Sequence, residues 1–178
     1  MLDDNKCDIE NFRYLKSVQQ SIEKFVESGD SLYIHSPICG NGKTSWAVKL
    51  MKEYMFKIWH KSDVKCKTLF IHVPTYLLAL KDNISEKSDY VKYVKSNIFD
   101  ADLVVFDEVA TGAFTKFESE NILSIINTRI ENNKSNIYTS NLNNNELLEK
   151  VGERLYSRIV NCSQDVLLVG KDKRGLFQ

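Results

Sequence analysis

What the chain lacks narrows it first. Its four cysteines, Cys7, Cys39, Cys66 and Cys162, are widely spaced, with no C-x-x-C pair and no Cys/His cluster. That argues against a structural zinc site and makes a reducing, cytoplasmic compartment the expectation. No apolar run reaches the roughly 18 residues that a membrane-spanning helix needs. The N-terminus carries Asp3, Asp4, Asp8 and Glu10 and has no apolar signal core. A soluble intracellular protein with no membrane association is therefore expected. Net charge is missing as well, because 24 Lys and Arg balance 24 Asp and Glu. No global field draws the chain to nucleic acid, so such a contact would have to be a local patch. There is no internal repeat, low-complexity segment or linker. The excess of lysine over arginine and the many asparagines read mainly as the mark of an AT-rich genome.

What is present is the composition of one globular domain. The chain has 178 residues, 43% hydrophobic and 27% charged, enough for a substantial core. Residues 1–10 read as a flexible polar lead-in and 11–178 as the domain. Helical spacing of Phe12, Leu15, Val18, Ile22, Phe25 and Val26 predicts one helix over 11–28, closed by Gly29. Strands over 31–35, 68–73, 102–106, 136–139 and 165–169 then alternate with helices over 44–59, 74–84, 89–98, 117–132, 144–151 and 154–160. That alternation predicts an α/β fold of three layers around a five-stranded, mainly parallel sheet. The helix over 44–59 places Trp46, Leu50, Tyr54 and Ile58 on one face and Lys49, Lys52 and Lys57 on the other. A solvated surface is the ordinary reading of that basic face, and a nucleic-acid contact is the alternative.

The stretch LYIHSPICGNGKTSWAVKL, residues 32–50, joins a buried strand to a helix through a glycine-bearing turn. Such a turn presents backbone N–H groups and a helix N-terminus to an anion. Lys43 can then reach the outer phosphates of a nucleotide, and the Thr44 hydroxyl can ligate Mg²⁺. The binding loop comprises Pro37, Ile38, Cys39, Gly40, Asn41, Gly42, Lys43, Thr44 and Ser45. Pro37 stands where the Gly-x-x-x-x-Gly-Lys-[Ser/Thr] pattern has its first glycine. It removes one backbone donor and favours an extended Ser36. Cys39, beside a helix N-terminus, is either a reactive thiol or a small residue that the turn tolerates.

Ligands of open α/β sheets bind at the carboxyl ends of strands, and three further polar groups fall there or just beyond. Asp107-Glu108 ends the third strand, where one carboxylate can hold a metal shell and the next can activate water. A helix cap or loop is the structural alternative. Asn141 follows the fourth strand and can share that water, unless it caps the next helix. Arg154 and Arg158, four apart in GERLYSRI, share a helix face and suit either phosphoryl stabilisation or a surface ion pair. His35, His60 and His72 have no partners at metal or triad spacing and are expected to be core or surface residues.

Taken in order, PICGNGKT, LVVFDE, IYTSN and GERLYSRI, with a closing KDKR, resemble the motifs of AAA+ ATPases of the DnaC/DnaI helicase-loader type. The resemblance covers roughly residues 12–176. It implies a P-loop NTPase core without a C-terminal helical lid, using ATP and Mg²⁺. Lys43, Thr44 and Asp107 would bind phosphate and metal, with Glu108 and Asn141 acting on the lytic water. Arg158 would reach the site of a neighbouring subunit in a homo-oligomer, and Arg174 would face the nucleotide from the C-terminal side. Single-stranded DNA would run past the helix from Pro74 to Ile84 and past Thr115, Lys116 and Phe117, unless Phe117 packs into the core. The implied partner is a replicative DNA helicase. An IstB-type transposition helper shares these motifs, and a non-hydrolysing decoy of a host loader is the rival from another class. Larger loaders of this type carry an additional N-terminal helicase-gripping domain. A compact loader of this sort suits a phage or mobile element.

Overall fold

The computed structural model describes residues 4–61, 66–82 and 88–170. Five strands, β1 (Leu32–His35), β2 (Thr68–His72), β3 (Leu103–Asp107), β4 (Ser135–Ser140) and β5 (Gln164–Leu167), form one sheet in the order β2-β3-β4-β1-β5. All four pairings are parallel, so the mainly parallel expectation becomes an all-parallel sheet. β1, β3 and β4 are buried along their whole length, as strands covered on both faces must be.

Alternate residues of these strands feed two separate cores. Leu32, Ile34, Val105 and Ile137 pack under α1 (Asp4–Gln20), α2 (Ile22–Glu27) and α3 (Lys43–Ile58). Tyr33, Val104, Phe106 and Tyr138 pack under the opposite layer. That layer holds α4 (Val73–Asp82), α5 (Asp89–Asn97), α6 (Lys116–Glu131), α7 (Asn144–Val151) and α8 (Glu153–Tyr156).

Two helices depart from the sequence reading. The first helix starts at Asp4 rather than Asn11, and it is not one helix. It breaks at Ser21, whose φ and ψ are −109° and 28°. The Ser17 and Ser21 hydroxyls donate to the Tyr14 and Ser17 carbonyls, at 2.7 and 2.9 Å. Such local bonds compete with the helical ladder. The helix expected over 154–160 is one α-turn, α8, followed by a π-helical turn, Ser157–Asn161. His35 is buried, as a core residue, but it has a charged partner. His35 Nε2 lies 2.7 Å from Asp165 Oδ1, and the ring stacks on Tyr33 at 4.7 Å. Burial works against the Asp165 carboxylate, but His35, Asn144 and the Val166 N–H together hold the pKa below its ordinary value. His72 also has partners, described with the site.

The α6 side of the sheet is fastened by a guanidinium with no solvent exposure. Arg129 donates to Asn136 Oδ1 at 2.6 Å, to the carbonyls of Ala101 and Ser135 at 2.8 and 2.7 Å, and to the carbonyl of Ile98. Burial lowers its pKa to about 10, which leaves it charged at neutral pH. It thereby ties α6 to the start of β4 and to the turn before β3. Arg129→Leu strands those acceptors in the interior, and we expect a stability loss of about 3 kcal/mol or more by urea unfolding. A loss under about 1 kcal/mol would show that the acceptors find other partners.

Candidate functional site

The loop after β1 turns on two glycines with positive φ, Gly40 at 75° and Gly42 at 103°, a region that residues with a Cβ enter at a cost. Gly42 is the N-cap of α3 and supplies no side-chain cap bond. The first-turn N–H groups of α3 are therefore available to an anion. Side chains brace the loop on either side of Pro37. Ser36 Oγ accepts from the Ile38 N–H at 3.1 Å and from Asn41 Nδ2. Asn41, 2% exposed, also donates to the carbonyl of Leu168 at 2.8 Å. Lys43 is folded into its own loop, donating to the Ile38 carbonyl at 2.9 Å and to Asn41 Oδ1 at 3.2 Å.

Asp107 closes β3 and is 5% exposed. Its Oδ1 accepts from Thr44 Oγ1 at 2.8 Å and from Thr139 Oγ1 at 2.7 Å. Thr139 Oγ1 in turn accepts from the Glu108 N–H at 3.0 Å. Glu108 has a φ of 57° and Ala110 one of 64°. Backbone held in the left-handed region by two non-glycine residues is a cost that surrounding contacts must offset. Here the Val109 N–H donates to the Thr139 carbonyl at 2.8 Å, and Ser140 Oγ donates to the Val109 carbonyl at 3.2 Å. The Glu108 carboxylate points toward β2, with Oε2 3.1 Å from His72 Nε2, while His72 Nδ1 lies 2.7 Å from Thr75 Oγ1.

The cap expected as an alternative for Asn141 belongs to its neighbour. Asn143 caps α7 in a reciprocal box with Glu146, and Asn141 instead lines a cavity of about 260 Å³. The other walls are Cys39, Gly40, Gly42, Lys43, Thr44, Ser45 and Glu108. The structure thus brings the loop, the post-β3 carboxylate and the post-β4 amide to one place.

Other expected residues lie elsewhere. Arg154 and Arg158 are exposed and face a separate groove with Asn127 and Glu153. Neither makes an ion pair among the described residues, so the surface-bridge alternative is not what holds them. Thr115 caps α6, its hydroxyl and backbone both engaged with Glu118. Lys116 is exposed, 3.9 Å from Glu120. Phe117 is 46% exposed and does not pack into the core. Arg174 and the KDKR segment lie outside the described residues, as do residues 83–84 of the expected second-strand helix. His72 and Thr139 were not foreseen in the site. Both lie at the carboxyl end of a strand beside β3, and strand-end polarity is the signal that would have found them.

No protein-family model matches the chain. It is 25% identical over 161 residues to the replicative helicase loader DnaC of Escherichia coli K12, covering 86% of this chain and 62% of that protein. The chain is homologous to the DnaC helicase loader. It spans somewhat under two thirds of the length of such curated relatives. The crystal structure of the DnaC helicase loader superposes with a TM-score of 0.66 at 24% identity, over 84% of this chain and 86% of that one. The replication initiator DnaA, bound to AMPPCP and single-stranded DNA, gives a TM-score of 0.69 at 16% identity, over 88% of this chain and 44% of that one. The five-stranded parallel sheet is that of the P-loop AAA+ NTPases. Among the described residues no helix is long and apolar enough to cross a membrane.

In this DnaC homologue the hydroxyl of Thr139 serves Asp107 and Glu108 together. Thr139→Val keeps the shape and leaves a buried carboxylate oxygen one donor short. We expect a loss of about 1–3 kcal/mol in urea unfolding. An unchanged stability would show that Asp107 does not depend on Thr139.

Proposed function

We propose that the cavity binds the phosphates of ATP with Mg²⁺, and that the protein uses slow ATP turnover as a switch in loading a replicative helicase onto single-stranded DNA. The observation that supports this best is convergence. Lys43, the bonded pair Thr44 and Asp107, Glu108 and Asn141 all come from different strand ends or the loop, and they meet at one place. Homology to a helicase loader supplies the biological setting.

The residues present fit the proposed ligands. On nucleotide binding Lys43 exchanges the Ile38 carbonyl and Asn41 Oδ1 for phosphate oxygens. The uncapped first turn of α3 adds backbone donors. Thr44 Oγ1 and Asp107 Oδ1, 2.8 Å apart, are the oxygens that would hold the metal or its water shell. Bound Mg²⁺ would neutralise charge that builds on the phosphates during transfer. Glu108 then accepts a proton from water as its oxygen bonds to the γ-phosphorus and the bond to ADP breaks. Asn141 orients that water without adding charge. Glu108 must first leave His72, so turnover waits on that contact.

Arg158 makes no ion pair among the described residues and lines a groove apart from the cavity, which fits delivery to a neighbouring subunit's nucleotide. On this reading ATP sits between protomers of a homo-oligomer. Lys116 and Phe117, exposed at the start of α6, would take a phosphate and a stacked base of the DNA strand.

Lys43→Ala should lower ATP affinity by at least tenfold in calorimetry, and unchanged affinity would exclude the loop as the nucleotide site. Arg158→Ala and Glu108→Gln should each be inactive in phosphate release, yet recover part of the activity when mixed. No recovery at any ratio would exclude delivery of the arginine in trans.

A further inference from the structure

The outer face of α3 carries side chains that neither the core nor the nucleotide cavity uses. Lys49, Lys52 and Phe56 of α3 and Trp59, in the 3₁₀ turn directly after it, follow one another at spacings of three, four and three, forming a continuous stripe. At 1.5 Å per residue it runs about 15 Å. Phe56 is 80% exposed and Trp59 78% exposed, the two most exposed large apolar side chains described. Lys49 and Lys52 are exposed one turn to two turns before them. A groove of about 640 Å³ runs beside the stripe, with Gln19 of α1 on one wall and Val48, Lys49, Lys52 and Phe56 on the other. Its one carboxylate, Glu53, is held against the α1 wall by a hydrogen bond from Gln19 at 2.9 Å. Lys49 Nζ sits 4.6 Å over the Trp46 ring, which orders the amine at the end of the groove nearest the phosphate loop.

We propose that this stripe of Lys49, Lys52, Phe56 and Trp59 is a contact surface for single-stranded nucleic acid. Its charge is complementary to a phosphate backbone, and its exposed rings offer faces for bases. The cores of protein–protein interfaces are depleted in lysine, whereas a basic groove interleaved with exposed aromatic rings is the arrangement that tracks a single strand. Contact of this kind is tolerant of sequence and sensitive to salt. The stripe lies in the α1–α3 layer, across the sheet from Lys116 and Phe117. It is therefore a second surface, going beyond the reading given above. Ser45 borders both this groove and the phosphate cavity, so a strand seated here lies directly beside the nucleotide loop.

The test is binding of fluorescein-labelled (dT)₂₀ to the full chain by anisotropy, from 50 to 200 mM salt, with tryptophan fluorescence read in parallel. The double variant K49E/K52E should bind at least tenfold more weakly at 50 mM salt. Its slope of log affinity against log salt should be shallower by about 1.4, at roughly 0.7 for each phosphate that is no longer neutralised. F56A/W59A should weaken binding about tenfold and keep the salt slope, and W59F should abolish most of the quenching caused by the strand. All of these positions are on the surface, and unfolding curves matching wild type will show the folds intact. If both α3 variants bind like wild type while K116E/F117A loses affinity, the strand uses only the opposite layer and this proposal is wrong. A wild-type chain that ignores (dT)₂₀ at 50 mM salt overturns both DNA surfaces together. Loss in the α3 variants alone supports this surface and counts against Phe117.

Discussion

One oxygen of Asp107 receives two threonine hydroxyls, and the functional end of the molecule hangs on that point. Thr44 arrives from the first turn of α3 and Thr139 from the end of β4, at 2.8 and 2.7 Å. The carboxylate thereby sets the distance between the phosphate loop and the strand beside it. The same Thr139 hydroxyl accepts the Glu108 N–H, which keeps the following turn in its left-handed backbone. A charge-assisted hydrogen bond is roughly twice as strong as a neutral one, so a single buried anion can order three elements. The cost of burying it is offset by donors that come from different parts of the chain.

Around this point the site rests with its reactive groups occupied. Lys43 is held by its own loop, and Glu108 is held by His72, itself steadied by Thr75. Both contacts are hydrogen bonds with competitors available, which makes them exchangeable on ligand arrival. The arrangement keeps a strong acceptor and a strong donor apart until something displaces them. It also connects β2 to the chemistry, because His72 is the last residue of that strand and α4 begins at the next one.

Much of this was legible in the sequence because it rests on local pattern. The apolar run before Asp107 announces a buried strand, and the glycines of the loop announce a turn that only positive φ can make. Five strands alternating with helices predict a parallel sheet, and the structure has one. The misses share a different cause: they depend on tertiary partners. His72 looked isolated because Glu108 is 36 positions away. Phe117 reads somewhat better as a core residue than as an exposed one, and only the packing of α6 shows it exposed. The π-helical turn after Tyr156 leaves no periodic signature, since five residues are too few to shift an apolar pattern. Asn141 was the expected cap alternative, and the start of α7 gives that role to Asn143 instead.

The position of β1 has a consequence for how the protein comes into being. β1 lies between β4 and β5, and Asn41 in the phosphate loop is pinned to Leu168, 127 residues further on. A ribosome therefore delivers the loop early, while the strands that give it shape emerge among the last segments. Contacts this distant form slowly, because the intervening chain must be ordered first. A nascent chain that stops short of β5 carries every residue of the loop but lacks one flank of β1 and the Leu168 carbonyl that holds Asn41. The full set of contacts around the loop is therefore complete only once synthesis has run through β5.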